Sequence, residues 1–242
     1  MAIKSFRIQD IIVHNCNFLN FNLSESSVDL IITSPPYNIG IDYGIYNDNK
    51  TYKEYLEFTK KWLGKSFDIL KSNGRICINV PIDTGKNGKR SLAADLTILA
   101  KRTGFKYKGT IVWDHSTSLM TSSKQKKFYA MAFSKNIELI LIFYKDEWIS
   151  VKKEFRDYVN EIWKFSGENP KRVNHPAAFP VEIPRRLIKM FSETNDIVLD
   201  PFLGSGTTLM ACKQLLRKGI GIEIDEKYFE GSKTRISDQN KH

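Results

Sequence analysis

The sequence is short of the residues that metal or disulfide chemistry would need. Its three cysteines, Cys16, Cys77 and Cys212, lie far apart and form no C-x-x-C pair. Two of them fall in apolar runs, which points to core thiols in a reducing compartment, not to a disulfide framework. The four histidines, His14, His115, His175 and His242, have no metal-ligand spacing. No apolar run is long enough to span a bilayer, and Met1-Ala2-Ile3-Lys4-Ser5-Phe6 carries no signal-peptide core. Internal repeats are absent. A phosphate-cradling P-loop is excluded too, because the Gly-x-Gly turn at Gly204 continues with Thr207 and not with Lys. Acidic excess is also missing. Lys and Arg number 37 against 27 Asp and Glu, a formal charge of +10 that implies a polyanionic partner, most simply nucleic acid.

What the sequence does contain is organised around Ile197-Val198-Leu199-Asp200-Pro201-Phe202-Leu203-Gly204-Ser205-Gly206-Thr207-Thr208. This stretch reads as a buried strand, a carboxylate at its tip, a tight glycine turn and the start of a helix. Open α/β sheets bind ligands outside the carboxyl ends of their strands, where glycine lets backbone approach closely. A second strand, Gly219 to Glu223, ends on an acid roughly 20 residues beyond the turn, the spacing that holds a ribose diol. The ligand is therefore a nucleoside. Asp200 at the turn would repel a pyrophosphate but suits an ammonium. S-adenosyl-L-methionine (SAM) combines an amine, a carboxylate and a ribose without phosphate, and fits both acids.

Along the chain, residues 6–14 and 28–33 read as strands, the second with the unbroken apolar run of a parallel sheet. It stops at Ser34-Pro35-Pro36-Tyr37-Asn38, a loop stiffened by two prolines. Tyr52 to Leu70 has helical periodicity, with Tyr55, Phe58, Trp62 and Phe67 facing the core and Asn73-Gly74 ending the helix. A strand over 75–80 leads to the glycine-rich, basic loop 83–90. A helix over 92–103 and a strand over 108–113 follow. The strand over 138–144 is expected to pair antiparallel with the latter. Residues 146–174 lose clean periodicity, mixing aromatics with charge, and an amphipathic helix over 181–191 returns the chain to the glycine turn.

Three ordered motifs carry a resemblance: Thr33-Ser34-Pro35-Pro36-Tyr37-Asn38, His175-Pro176-Ala177-Ala178-Phe179-Pro180, and Asp200 to Thr208. With them the sequence resembles bacterial SAM-dependent amino-methyltransferases of DNA, restriction-modification enzymes of the β group, over nearly the whole chain. The resemblance implies an α/β, Rossmann-like methyltransferase sheet, mostly parallel with one antiparallel strand. The motif order is permuted, with the catalytic half first and the SAM half last. It further implies a single catalytic domain over 1–242, with a target-recognition segment around 114–174, in a bacterial or archaeal cytoplasm. Ser34, Pro35, Pro36 and Tyr37 become the catalytic set, with the Ser34 hydroxyl and Pro35 carbonyl gripping an exocyclic amine and Tyr37 stacking on the base. Asp200, Phe202, Gly204, Gly206, Thr207, Thr208 and Glu223 become the SAM set, with Asp225 a second choice for the ribose. His175 and Pro176 would complete the pocket wall. Where members commonly carry Gly-Asp, this chain has His14-Asn15, and Asn15 is assigned to the adenine.

Double-stranded DNA is the expected substrate, with Lys86, Lys89, Arg90, Lys124, Lys126 and Lys127 as candidate phosphate contacts; Arg156, Lys171 and Arg172 are the reserve set. A cognate restriction endonuclease and a homodimer are further partners of such enzymes. No metal is required, since a sulfonium is already an excellent leaving group. The target base must be flipped out of the duplex to reach such a pocket. Ser34 stands where adenine enzymes of the family mostly carry aspartate, which favours N4 of cytosine. N6 of adenine is the alternative, and a non-catalytic SAM-binding regulator a third reading. A cytosine-C5 enzyme is disfavoured because none of the cysteines follows a proline.

Overall fold

The computed structural model describes residues 3–41, 43–84, 90–115, 137–159, 162–167 and 178–238. Strands β1 (Lys4–Ile8), β2 (Ile11–Asn15), β3 (Val28–Thr33) and β4 (Leu70–Pro81) come first, then a small hairpin of β5 (Asp83–Thr84) and β6 (Arg90–Ser91). β7 (Lys106–Asp114), β8 (Ile137–Tyr144), β9 (Ile162–Lys164), β10 (Ile197–Asp200) and β11 (Lys218–Glu223) follow. The main sheet is ordered β1-β2-β11-β10-β3-β4-β8-β7-β9. Its centre, from β2 to β4, is parallel. β8 runs antiparallel to both β4 and β7, the second pairing as the sequence leads one to expect. A second reversed strand lies at the edge. Residues 6–14 do not continue as one strand, because Gln9 adopts a left-handed φ of 53° and folds β1 back on β2.

Helices cover both faces. α1 (Tyr52–Ile69) and α2 (Leu92–Thr103) pack one apolar layer; α3 (Glu182–Phe191), α4 (Thr207–Gln214) and α5 (Glu226–Ser237) pack the other. Strand residues alternate between the layers as the pleat requires: in β8, Ile140 and Ile142 face one and Leu141 and Phe143 the other. α1 starts at a capping box, in which Thr51 accepts from the Glu54 N–H while the Glu54 carboxylate accepts from the Thr51 N–H. Tyr55 and Trp62 of this helix are fully buried, whereas Phe58 and Phe67 are only partly so. Asn73-Gly74 does not end α1. The helix gives way to β4 directly at Leu70, and residues 71–74 loop out as the pairing with β3 jumps from Val28–Leu70 to Leu30–Arg75.

The sheet order locates the site. From β3 the chain crosses through α1 to β4 on one side; from β10 it crosses through α4 to β11 on the other. β3 and β10 are neighbours, so the crossovers diverge between them and leave a crevice at their carboxyl ends, the topological switch point of an open α/β sheet. The loops after β3 and β10 are the two that carry Ser34 and Gly204.

Close packing along β11 supports the second of these loops. A Cβ on Gly221 would lie 2.7 Å from methyls of both Leu203 and Leu209. Gly221→Ala is therefore expected to destabilise by about 1–3 kcal/mol in urea unfolding. Gly231→Ala, on α5 with nothing within 4 Å of the added methyl, should instead stabilise by about 0.5–1 kcal/mol. Equal effects of the two substitutions would contradict this account of β11.

Candidate active site

A single cavity joins the two loops. It encloses about 740 Å³ of empty space, its open mouth included. Ser34 and Pro36 line it from the β3 loop; Phe202, Gly204 and Glu223 line it from the β10 and β11 ends. Pro35 and Tyr37, although from the same loop, are buried behind the wall.

The Phe202 ring is held on three sides. It lies 5.6 Å from Trp62 and 5.9 Å from Phe58, both of α1, and 6.3 Å from Phe18. One apolar surface is thus fixed before any ligand arrives. Glu223 sits opposite, buried at 7% exposure, its two oxygens accepting from the N–H groups of Gly204 (2.7 Å) and Asp225 (2.8 Å). These bonds fix the carboxylate and leave lone pairs free for hydroxyl donors. Asp225 does other work. It caps α5 by accepting from Lys227 and Tyr228, and a Cβ on Gly44 of the facing loop would collide with its carboxylate.

Several expected cofactor residues lie one layer deeper. Asp200 is fully buried and absent from the cavity wall. It accepts from Thr33 (3.0 Å), Thr208 (2.6 Å) and the Phe202 N–H (3.2 Å). Gly206, at φ 84°, begins α4 behind the wall, and the hydroxyls of Ser205 and Thr207 are taken by the Arg235 guanidinium. Asn15 spends its amide donors on the carbonyls of Glu223 and Ile224 (2.9 and 3.1 Å), and its neighbours Cys16 and Asn17 face the cavity instead. The structure also places Tyr37 away from the stacking position. Its ring is 6% exposed, within the α1 and α2 layer, and its hydroxyl contacts Ser34. Arg90 is exposed, its guanidinium 4.2 Å from the Tyr52 ring. His175, Pro176, Lys86, Lys89, Lys124, Lys126 and Lys127 lie outside the described residues.

Some wall residues have only weak signals in the sequence. Tyr43 and Tyr46 come from the 38–50 loop, which Asp48 organises by accepting from the N–H groups of Asn38, Ile39, Gly40 and Ile41. The Asn and Asp bracketing Gly40 are the available signal, since such side chains cap tight turns. Phe58 reads as core because its helical phase matches Tyr55 and Trp62, yet it lines the cavity.

The family model described as DNA methylase matches residues 28–234. The chain belongs to this family. It is 38% identical to the type II methyltransferase M.MjaVI of Methanocaldococcus jannaschii over 69% of its own length and 92% of that protein's. It is 35% identical to the type II methyltransferase M.HpaI of Haemophilus parainfluenzae over 90% and 71%. Among solved structures it resembles a putative DNA modification methylase of Thermus thermophilus in complex with SAM, at 27% identity and a TM-score of 0.71, with 93% and 94% of the two chains covered. The enzyme is a SAM-dependent, site-specific DNA amino-methyltransferase.

The cavity fits that cofactor on its own evidence of charge. Burial pushes Asp200 up to about 6, and burial, aided by the neighbouring Asp225 and Asp200 charges, pushes Glu223 up to about 7. Neither acid has a basic side chain at ion-pair distance among the described residues. A cationic ligand with hydroxyl donors supplies what they lack. The linkage has a definite sign. A carboxyl whose folded pKa is raised stabilises the fold fully below its unfolded value, here 4.5 for Glu223, and loses that contribution as pH rises through about 7. Cofactor binding should favour the ionised acids and so release protons. SAM affinity is expected to rise between about pH 5.5 and 8, with the rise diminished in Glu223→Gln. Calorimetry in buffers of different ionisation enthalpy reads the proton count; zero release near neutrality would contradict the assignment.

Proposed function

We propose that the enzyme transfers the SAM methyl group to the N4 amine of a cytosine flipped from duplex DNA. The observation that carries this reading is the shared cavity, in which Ser34 lines the same space as Phe202, Gly204 and Glu223. In the proposal Phe202 takes the adenosine, Glu223 the ribose hydroxyls, and Asp200, reached past Pro201, the cationic end of the methionine moiety. When bound, SAM supplies a methyl group on a sulfonium that leaves readily.

The protein's task is then to prepare the amine. An exocyclic amine is conjugated with its ring, so its lone pair is a poor nucleophile. Two acceptors on its N–H groups, the Ser34 hydroxyl and, reached from the cavity between Ser34 and Pro36, the Pro35 carbonyl, are proposed to favour pyramidal nitrogen and turn the lone pair towards the methyl carbon. The proline pair holds both acceptors on a stiff loop, so catalysis is mostly positioning. A hydroxyl in place of a carboxylate avoids adding a negative charge beside the O2 and N3 acceptors of cytosine. The segment around 114–174 is proposed to read the target sequence. Its described part packs Tyr158, Trp163 and Phe165 around Arg186 of α3, within 5.0–5.3 Å of each ring.

Nucleoside mass spectrometry of methylated duplex tests the base: N4-methylcytosine is expected, and N6-methyladenine without it would overturn the cytosine reading. Ser34→Ala is expected to lower kcat by about tenfold or more at unchanged SAM affinity, the pattern of an interaction made in the transition state. DNA affinity should fall steeply with salt, and neutralising a true phosphate contact, Arg90 among the candidates, should reduce the slope by about one unit.

A further inference from the structure

Behind Ser34 lies a buried polar chain that the proposed function has not used. Ser34 Oγ is in short hydrogen-bond contact with Tyr37 Oη. Tyr37 Oη is 3.1 Å from the Asn79 carbonyl and 3.4 Å from Glu138 Oε2, and it accepts from Asn79 Nδ2 at 3.2 Å. The same Asn79 amide donates to Glu138 Oε2 at 2.5 Å. Asn79 belongs to β4, and Glu138 stands on β8 between Pro81 of β4 and Trp113 of β7. The Glu138 side chain is only 24% exposed, and a carboxylate so enclosed is costly unless it is hydrogen-bonded.

We propose that Glu138 is a positioning residue that sets the direction of this hydrogen-bond chain, so that Ser34 presents lone pairs and not its proton to the base amine. The inference rests on the reading of Ser34 as an amine acceptor and follows from counting protons. A tyrosine oxygen has one proton to give and about two lone pairs to receive with. With Glu138 ionised, the groups behind Tyr37 offer two acceptors, the carboxylate and the Asn79 carbonyl, and one donor, the Asn79 amide. The Tyr37 proton then points inward and one lone pair stays open for Ser34. The short contact is filled by the Ser34 proton, and the remaining Ser34 lone pairs face the cavity.

Protonation of Glu138 reverses the chain. Its new O–H and the Asn79 amide together fill both Tyr37 lone pairs. The Asn79 carbonyl can still accept the Tyr37 proton, but that leaves the short Ser34–Tyr37 contact with no proton in it; filling the contact turns the Tyr37 proton to Ser34, and the Ser34 proton is displaced into the cavity, where it opposes the amine N–H. Among the described residues, the titratable groups facing Glu138 are His115 from the end of β7, its Nε2 3.9 Å from Oε1, Tyr37, and Tyr43 from the loop beyond. Burial raises the Glu138 pKa above the ordinary carboxylate range, with the Asn79 bond and His115 opposing. The reversal therefore falls closer to neutrality than an exposed glutamate would place it.

The test is single-turnover methylation of duplex DNA at saturating SAM, from about pH 5.5 to 8.5. Wild type should lose rate on the acid side. Glu138→Gln, whose amide can donate to Tyr37 as the protonated acid would, should be slower by about tenfold at the plateau, the worth of one hydrogen bond. It should also lose the acid limb, with unchanged SAM affinity and base flipping by 2-aminopurine fluorescence. Glu138→Asp should restore the limb. Tyr37→Phe cuts the chain, so it should flatten the profile too, and adding Glu138→Gln to it should change nothing further. A Glu138→Gln enzyme within about threefold of wild type and with the same limb overturns the proposal. Should that variant not fold, a limb persisting in Tyr37→Phe overturns it equally. Ser34→Ala separates the two layers: a wild-type rate there sinks the amine-acceptor reading itself, whereas a slow Ser34→Ala beside a normal Glu138→Gln sinks only the role of Glu138.

Discussion

The Asp200 carboxylate is the bond between the two halves of this enzyme. It accepts from Thr33, the last residue of β3, and from Thr208 in the first turn of α4, while also receiving the Phe202 N–H. Thr33 immediately precedes Ser34, and Phe202 is an aromatic wall of the cavity. A single buried acid therefore ties together the two loops that line the cavity. Hydrogen bonds to a charged acceptor contribute about 1.5–3 kcal/mol each, yet burial without a cation still raises the Asp200 pKa.

Glu223 repeats the device one strand away. Its oxygens gather the N–H groups of Gly204 and Asp225, and its own carbonyl accepts from the Cys16 N–H and the Asn15 amide. The tips of β2, β10 and β11 are tied through this residue, which explains why Asn15 faces inward and Cys16 and Asn17 reach the cavity. Asp225, the alternative acid for the ribose, is already committed to capping α5. Geometry gives the two carboxylates different partners.

Much of the site was legible because its signals are local. A strand, an acid and a glycine turn occur within Ile197 to Thr208, and the prolines that stiffen the Ser34 loop are adjacent to it. The strand β8 followed from its apolar run. What was not legible depends on partners distant in sequence. Asp200 looks like an exposed ligand at a strand tip until Thr33 and Thr208 are seen to enclose it. Tyr37 looks like a stacking ring until Asn79 and Glu138 are seen to draw its hydroxyl inward. Phe58 has the phase of a core residue, and only the approach of Phe202 puts its edge in the cavity. The break of residues 6–14 at Gln9 has no glycine or proline to announce it.

The permuted order of the chain has a physical consequence. β3 and β10 are neighbours in the sheet although 167 residues separate Thr33 from the Asp200 carboxylate that receives its hydroxyl. In sequence, β10 and α4 are joined by a short turn and form one local unit. The cavity cannot form that way. Loop closure over such a span costs only slowly increasing entropy, but long-range pairings of this kind are slow to establish. The site is assembled when the two halves meet along β3 and β10, and the bond that Asp200 makes across that seam joins the closing of the sheet to the readiness of the site.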